Sequence, residues 1–249
     1  MKSRLGGLTV RYLLLVLLAG LVLLPLVSVV LAALHPPGAQ LNGLSIPDEW
    51  SVRNFVLAWE QGNFTNLMRS SVLIAVCVVP LAVVLATLAG YGLGVLKIWG
   101  NRRLSAFFVL GLTLPVELVV VALYFNLRQV GLANSYLGIV LAEAARIDGA
   151  RDLAVLVRVL VPISWPPITT LAVLYFMWSW NQFLLVLVMM QDPDRRTAPA
   201  GLGLFVGQYS TNIPLLAAAS LIVIAPILLV YLTFQRSFVN GITQGAIKG

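Results

Sequence analysis

Charged residues are scarce in this chain. Only 10 % of its 249 residues are charged, with 16 Lys and Arg against 9 Asp and Glu. An ordinary globular domain is about a quarter charged, so this scarcity excludes a soluble enzyme, while a disordered chain needs the opposite balance. The net charge of +7 would elsewhere indicate nucleic acid, but here the cations lie between apolar runs, and we expect no nucleic-acid partner. Cys77 is the single cysteine, which excludes an internal disulfide.

The sequence also lacks the patterns of common catalytic sites. A P-loop needs a lysine directly after a glycine, so that the lysine and the backbone amides can hold phosphates. The three lysines are Lys2, Lys97 and Lys248, and none of them follows a glycine. HExxH and GxSxG do not occur either. We therefore expect no enzyme activity, no metal and no cofactor, and energy for any transport must come from a partner or an ion gradient.

Long apolar runs fill the chain instead, with 60 % hydrophobic residues and a mean hydropathy of +0.96. A membrane helix needs about 20 apolar residues to cross a hydrocarbon core of about 30 Å. The first run follows three cations, as a secretory signal does, but it is longer than a usual signal and we expect it to remain as a span. Charge-free intervals of sufficient length predict five spans, over residues 12–34, 70–96, 104–127, 163–190 and 214–235.

The positions of the cations predict the side of the membrane on which each loop lies. Cytoplasmic loops collect Lys and Arg, and an inward N-terminus places 11 of the 16 cations inside. The same count places both Glu143 and the C-terminal tail inside, so the chain must cross once between Arg128 and Glu143. Only residues 129–142 are available, and a helix of 14 residues reaches about 21 Å. We therefore predict an abbreviated crossing over residues 134–142.

These patterns predict an all-α fold: one transmembrane domain over residues 1–249, a polytopic helix bundle of five clear spans and one abbreviated segment.

A charged segment, residues 143–162, lies between the abbreviated segment and the next span and has the pattern of helix, break and helix. Ala144 and Ala145 favour a helix and allow a close approach, and Asp148-Gly149 is a turn signal because glycine can adopt the left-handed conformation that ends a helix. Docking into a partner's groove and a plain amphipathic connector both fit this pattern.

Segment 143–162 resembles the cytoplasmic EAA loop of permease subunits of binding-protein-dependent ABC importers. Residues 180–183, Trp-Asn-Gln-Phe, are similar to the Trp-Asn-acid-Phe signature of the carbohydrate-uptake branch, with Gln182 in place of the acid. Residues 235–239 and 241–249 are similar to the tail of the maltose-type second permease. The residues that carry the EAA likeness are Glu143, Ala144, Ala145, Asp148, Gly149, Ala150, Val161 and Pro162.

The resemblance implies a six-span sugar-importer subunit in a bacterial-type cytoplasmic (inner) membrane, with alternating access driven by a partner's ATP hydrolysis. The implied partners are a dimer of cytoplasmic ATP-binding subunits, a second permease subunit, an extracytoplasmic solute-binding protein and membrane lipid. In that family a full span separates the region of Asn134 from the EAA residues, so the resemblance also indicates a missing stretch. A secondary transporter or channel, or a non-transporting truncated assembly variant, are the alternatives. The residues implied in ATPase coupling are Glu143, Ala144, Ala145, Asp148, Gly149, Ala150 and Pro162.

The sequence offers two candidates for a substrate path. Glu117 is a carboxylate inside the third predicted span, where it could contact a sugar hydroxyl, carry a proton, or simply reach water or an arginine. An aromatic and amide group in the predicted span over residues 163–190 has residue types that bind sugars, although tryptophans at a membrane interface have the same composition. This group is Tyr175, Trp178, Trp180, Asn181 and Gln182.

The predicted outer segment, residues 36–69, is polar and too short for a domain. It could contact a solute-binding protein, but a solvated loop would have the same composition. His35, the single histidine, lies just before this segment and next to two prolines. We expect His35 to be a solvated loop residue.

Overall fold

A computed structural model of the protein describes residues 2–41, 43–94, 103–106, 110, 116–132, 134–137, 139–140, 164–206 and 212–246, without the side chains of 2–10, 94, 116–119, 121–123 and 237–246. These residues are mainly helical, and they contain no β-strand. Two short 3-10 turns, Pro193–Arg195 and Leu202–Phe205, flank one of the helices. The helices are α1 (Lys2–Ala33), α2 (Arg53–Gln61), α3 (Phe64–Gly94), α4 (Val116–Gln129), α5 (Trp165–Trp180), α6 (Leu184–Met189), α7 (Ala198–Gly201) and α8 (Ile213–Ala246).

Three of these helices are long and apolar enough to cross a membrane. Within the described residues the candidate spans are Arg11–Ala33, Phe64–Leu93 and Ile213–Arg236, with mean hydropathies of 3.0, 2.9 and 2.7. Each contains one proline inside the helix, at Pro25, Pro80 or Pro226. Membrane helices tolerate such prolines because neighbouring groups satisfy the freed backbone carbonyl. The structure thus supplies helices for the first, second and last predicted spans, and α3 begins six residues before the predicted start at residue 70.

The predicted span over residues 163–190 is not one continuous helix in the structure. It is divided into α5, with 16 residues, and α6, with six. At the end of α5 the backbone N–H of Asn181 donates to the carbonyl oxygen of Met177 at 3.2 Å, and its side-chain amide donates to the same carbonyl at 2.8 Å. Asparagine therefore ends the helix although the apolar run continues on both sides. Of the predicted abbreviated segment, residues 134–137, 139 and 140 are described, and residues 136, 137, 139 and 140 are helical.

The chain forms two compact units, and the first comprises Met1–Phe64 and Leu202–Ile224. In this unit Asn54 of α2 is fully buried and caps the end of α1. Its side-chain amide donates to the carbonyl oxygen of Ala33 at 2.9 Å and to that of His35 at 2.6 Å. The backbone N–H of Ser51 donates to the carbonyl oxygen of Leu34 at 2.8 Å. These three bonds satisfy carbonyls that the helix itself leaves unpaired.

His35 is buried, so the expectation of a solvated loop residue was wrong. Only 7 % of its surface is exposed. Its Nδ1 lies 2.8 Å from the carbonyl oxygen of Leu31, and its Nε2 lies 3.2 Å from the hydroxyl of Ser45. The histidine is held there by a carbonyl of its own helix and by a serine ten residues later. Neither partner can be identified from the charge or the hydropathy of the sequence.

Aromatic packing joins the two segments of the first unit. The rings of Trp59 and Phe64 stack with centroids 6.0 Å apart, and Phe64 stacks on Phe205 with centroids 6.1 Å apart. Phe64 has no exposed surface, so it forms the centre of the stack. Large buried aromatic side chains contribute most of the apolar contact area in a small unit such as this one.

The second unit comprises Thr65–Gly201 and Ala225–Gly249. Its buried cluster is built on α3, α4, α6 and the residues around Ile139. All the members are apolar, so the cluster is stabilised by van der Waals packing rather than by polar pairs. They are Ile74, Val78, Val120, Ile139, Leu185, Val186, Met189, Met190 and Ala200.

Replacement of Asn54 tests the cap on α1. In Asn54→Ala the carbonyls of Ala33 and His35 lose their donor, and a buried acceptor without a partner costs about 1–3 kcal/mol. Asn54→Asp, with a carboxylate facing the same carbonyls, should cost more. The measurement is the midpoint of thermal unfolding of the purified chain, together with proteolysis between residues 36 and 52. Glu60→Gln, at an exposed position of α2, is the control, and equal stability of all the variants would contradict the assignment.

Replacement of Gly201 tests the packing of α7 on α3. A Cβ atom at Gly201 would overlap Cδ1 of Leu67, which is itself only 1 % exposed and has little room to move. Gly201→Ala should therefore lower the free energy of unfolding by about 1–3 kcal/mol, the usual cost of overpacking. Gly203→Ala is the matched control because no atom lies within 4 Å of its added Cβ. Unfolding in mixed micelles measures both, and equal losses would count against this contact.

Candidate functional site

The predicted ATPase-coupling residues lie outside the described part of the chain. Segment 143–162 contains all of them, and the structure describes none of its residues. Glu117 lies in α4, but its side chain is not among those described. The coupling role and the role of Glu117 therefore stay predictions. The coupling residues concerned are Glu143, Ala144, Ala145, Asp148, Gly149, Ala150 and Pro162.

The aromatic residues of the second candidate group all lie in α5. Tyr175 and Trp178 are three residues apart, a spacing that puts them on neighbouring positions of one helix face. Trp178 is 54 % exposed and Tyr175 is half-buried. Trp180 is only 2 % exposed, and its ring lies 5.4 Å from that of Phe176. Trp180 is therefore a packing residue in this unit, whereas Trp178 presents an exposed aromatic surface.

The two amides of this group follow the end of α5. Asn181 is exposed, but its side-chain amide donates to the carbonyl oxygen of Met177 and so caps its own helix. The backbone N–H of Gln182 donates to the carbonyl oxygen of Ser179 at 3.2 Å. The five residues thus lie around one helix end, and their role in a substrate path stays a prediction.

A polar cavity occurs elsewhere in the second unit, where three separate segments meet. We call it the polar cleft. It is open to solvent on one side and has a volume of about 440 Å³. The first turns of α3, the residue Tyr136 and the loop after α6 contribute its walls. The lining residues are Asn66, Arg69, Ser70, Leu73, Tyr136, Asp192, Asp194 and Arg195.

Hydrogen bonds fix the floor of the polar cleft. The hydroxyl groups of Ser70 and Tyr136 are 2.7 Å apart, and Ser70 is buried. Since either hydroxyl can donate, the bond joins α3 to a residue that lies 66 positions away. The backbone N–H of Asn134 also donates to the carbonyl oxygen of Met189 at 3.2 Å. The segment around Tyr136 is therefore held on both sides.

The loop that forms the other wall is anchored at both ends. The hydroxyl of Ser71 accepts a bond from the backbone N–H of Ala198 at 2.8 Å, in a buried position. Nε of Arg196 donates to the carbonyl oxygen of Met190 at 3.1 Å. Between these anchors Arg195 pairs with Asp192 at 3.4 Å, and Asp192 accepts from the backbone N–H of Asp194 at 3.1 Å. The loop thus presents two carboxylates and a guanidinium in a defined arrangement.

The polar cleft was not predicted from the sequence. Its only signal in the sequence is the polar, mostly charged run of residues 191–196, which separates two apolar stretches. Nothing in that run indicates that Ser70 and Tyr136 lie beside it. Within the described residues, no group of three or more His, Cys, Asp or Glu side chains is arranged to hold a metal ion.

Several known permeases are similar to this chain. Residues 132–244 match the family model for the binding-protein-dependent transport system inner membrane component. The diacetylchitobiose uptake system permease protein NgcG of Streptomyces coelicolor is 28 % identical over 96 % of this chain and 88 % of its own length. The trehalose transport system permease protein SugB of Mycobacterium tuberculosis is 28 % identical over 94 % of this chain and 95 % of its own length.

The fold has a counterpart in a solved structure. A chain in the crystal structure of a bacterial ABC transporter that imports the acidic polysaccharide alginate matches with a TM-score of 0.75. The match covers 96 % of this chain and 98 % of that one, at 19 % sequence identity. At that identity the likeness concerns the fold alone.

The relatives contain positions that this chain lacks. The alignment with NgcG extends over 267 positions against 249 residues here, so at least 18 positions of NgcG, 267 less 249, have no counterpart. The alignment includes 96 % of this chain, which is about 239 residues, so about 28 positions of NgcG have no counterpart in this chain. A second alignment extends over 231 positions and includes 82 % of this chain, about 204 residues. About 27 positions of that relative therefore have no counterpart in this chain. About 20 residues suffice for one membrane helix.

That second alignment is with the Bacillus subtilis protein named Probable ABC transporter permease protein YurM. The two proteins are 31 % identical, and the alignment includes 82 % of this chain and 76 % of YurM. Together with the match to the family model, this identity shows that the chain belongs to the permeases of ABC transporters, the inner-membrane components of binding-protein-dependent transport systems.

Proposed function

We propose that this chain is one of two permease subunits of a sugar importer that is driven by ATP hydrolysis in partner chains. The observation that carries the proposal is the similarity, over more than nine tenths of the chain, to permeases named for diacetylchitobiose and trehalose uptake. The chain has no P-loop of its own, so hydrolysis is assigned to a dimer of ATP-binding subunits. A solute-binding protein delivers the sugar from outside.

The coupling contact is assigned to residues 143–162. In this proposal the helices on either side of Gly149 dock into the ATP-binding subunit, and ATP binding and hydrolysis alternate the access of the path between the two sides of the membrane. Glu143 and Asp148 are carboxylates beside small residues, which allows a close approach and charge-assisted hydrogen bonds to the partner.

The proposal includes a topology. The N-terminus lies inside, and the positions that this chain lacks relative to NgcG and YurM fall between Tyr136 and Glu143. Two arguments support this place: the positive-inside count requires a crossing there, and the 14 residues from 129 to 142 are too few for a full one. The segment 134–142 then makes an abbreviated crossing, so that segment 143–162 faces the ATPase.

Disruption of segment 143–162 tests the coupling contact. A chain with residues 143–149 in scrambled order should lose a co-expressed ATP-binding subunit during purification, and Glu143→Ala should weaken the association about tenfold, which is 1.4 kcal/mol. Glu49→Ala removes an exposed carboxylate on the predicted opposite side and is the control. Retention of the ATPase by the scrambled chain would rule out the ABC mechanism for this subunit and favour a secondary transporter or channel.

Accessible cysteines test the topology. In a Cys77→Ser background, Asn134→Cys should react with a membrane-impermeant maleimide in intact cells. Ser105→Cys and Thr243→Cys should react only after permeabilisation, because the positive-inside count places both inside. Labelling of Thr243→Cys from outside would mean an odd number of crossings. The chain would then be a truncated assembly variant rather than a conventional subunit.

A further inference from the structure

The polar cleft contains groups with complementary hydrogen-bonding roles on opposite walls. Arg69 and Asn66 come from α3, and Arg69 can only donate hydrogen bonds. Asp192 and Asp194 come from the loop after α6, and ionised carboxylates can only accept. A sugar hydroxyl donates and accepts at once, so it can satisfy one group on each wall.

The charge balance of the polar cleft favours a neutral ligand. Its lining contains two arginines and two aspartates, and the formal charges cancel. Arg195 and Asp192 already pair with each other at 3.4 Å. An anion would face the second carboxylate of the loop, and a cation would face Arg69. A neutral molecule with many hydroxyl groups meets neither repulsion.

The cleft has the size and the preformed shape that a small-molecule site requires. Its volume of about 440 Å³ lies within the range of about 300–1,000 Å³ that is usual for ligand pockets. Tyr136 supplies an aromatic ring, and its hydroxyl is held by buried Ser70. Because the Ser71 to Ala198 and Arg196 to Met190 bonds also anchor the loop, little ordering is left for the ligand to induce.

We propose that the polar cleft binds a neutral mono- or disaccharide. This inference rests on the proposed function, and it adds a sugar site outside the aromatic group of α5. In the proposed topology the start of α3, Tyr136 and the loop after α6 all lie on the outer side. The sugar in the cleft is then held where it enters the permease, before it reaches the membrane interior.

Protection of a cysteine tests the site on the full chain in nanodiscs. In a Cys77→Ser background, Leu73→Cys places a thiol in the cleft, at a residue that is 39 % exposed. Trehalose is the probe. At ten times its dissociation constant about nine tenths of the clefts are filled, so maleimide labelling should slow about tenfold. Glu60→Cys on α2 is exposed and should label at one rate with and without the sugar.

Two further variants test the hydrogen bonds to the sugar, and one further probe tests the preference for a neutral ligand. Arg69→Gln and Asp194→Asn change little volume, and each should shift half-protection to about tenfold higher trehalose, the loss of one charge-assisted bond. Glucuronate at the same concentrations should protect less than trehalose. Equal or stronger protection by glucuronate, or unchanged protection in both variants, would overturn the proposal.

The test separates this site from the proposed function. If the complete transporter takes up trehalose with ATP while Leu73→Cys is not protected, the sugar site is refuted and the importer assignment stands. If protection is found but no uptake depends on ATP, the importer assignment fails instead. Protection of Leu73→Cys by a solute-binding protein alone, with none by trehalose, would make the cleft a protein contact and would overturn the sugar site.

Discussion

Every peptide group in an apolar surrounding needs a hydrogen-bond partner, and the described structure is arranged around that requirement. The long helices satisfy it internally, which is why they dominate a chain with so few charges. The irregular segments satisfy it with specific bonds at their ends. Asn54 and Ser51 serve the carbonyls after α1, Asn181 serves the end of α5, and Ser71 serves the first residue of α7. Each of these three helix ends is thus matched by a polar side chain or a backbone donor.

The same requirement explains which features could be predicted from the sequence. The helices α1, α3 and α8 follow from composition alone, because a charge-free apolar run of sufficient length has few other folds. The division of the predicted span over residues 163–190 between α5 and α6 did not follow, since it depends on one asparagine inside an apolar run. The burial of His35 did not follow either, because Asn54 and Ser45, which hold it in place, come from later in the chain.

The candidate site could also be predicted from the sequence only in part. The residue types of the group around Trp178 were found, but their separation into an exposed tryptophan, a buried Trp180 and a helix-capping Asn181 depends on tertiary packing. The polar cleft was missed entirely, since it joins residues near 70, 136 and 193 that share no local pattern. Hydropathy and charge counts describe single segments, and a cavity between segments needs coordinates. The family, in contrast, could be identified from short motifs because those motifs are local.

The exposure of the first helix, α1, has a thermodynamic consequence. None of the apolar window in Arg11–Ala33 is buried within the chain, although its mean hydropathy is 3.0. Its side chains therefore contribute almost nothing to the packing of the fold, and the free energy that holds the helix in place comes from transfer into its surroundings. A leucine removed from residues 13–26 of α1, which are all exposed, would leave no cavity within the chain. It would change instead the free energy of transferring the helix from water into an apolar environment, so α1 contributes through transfer rather than through packing within this chain.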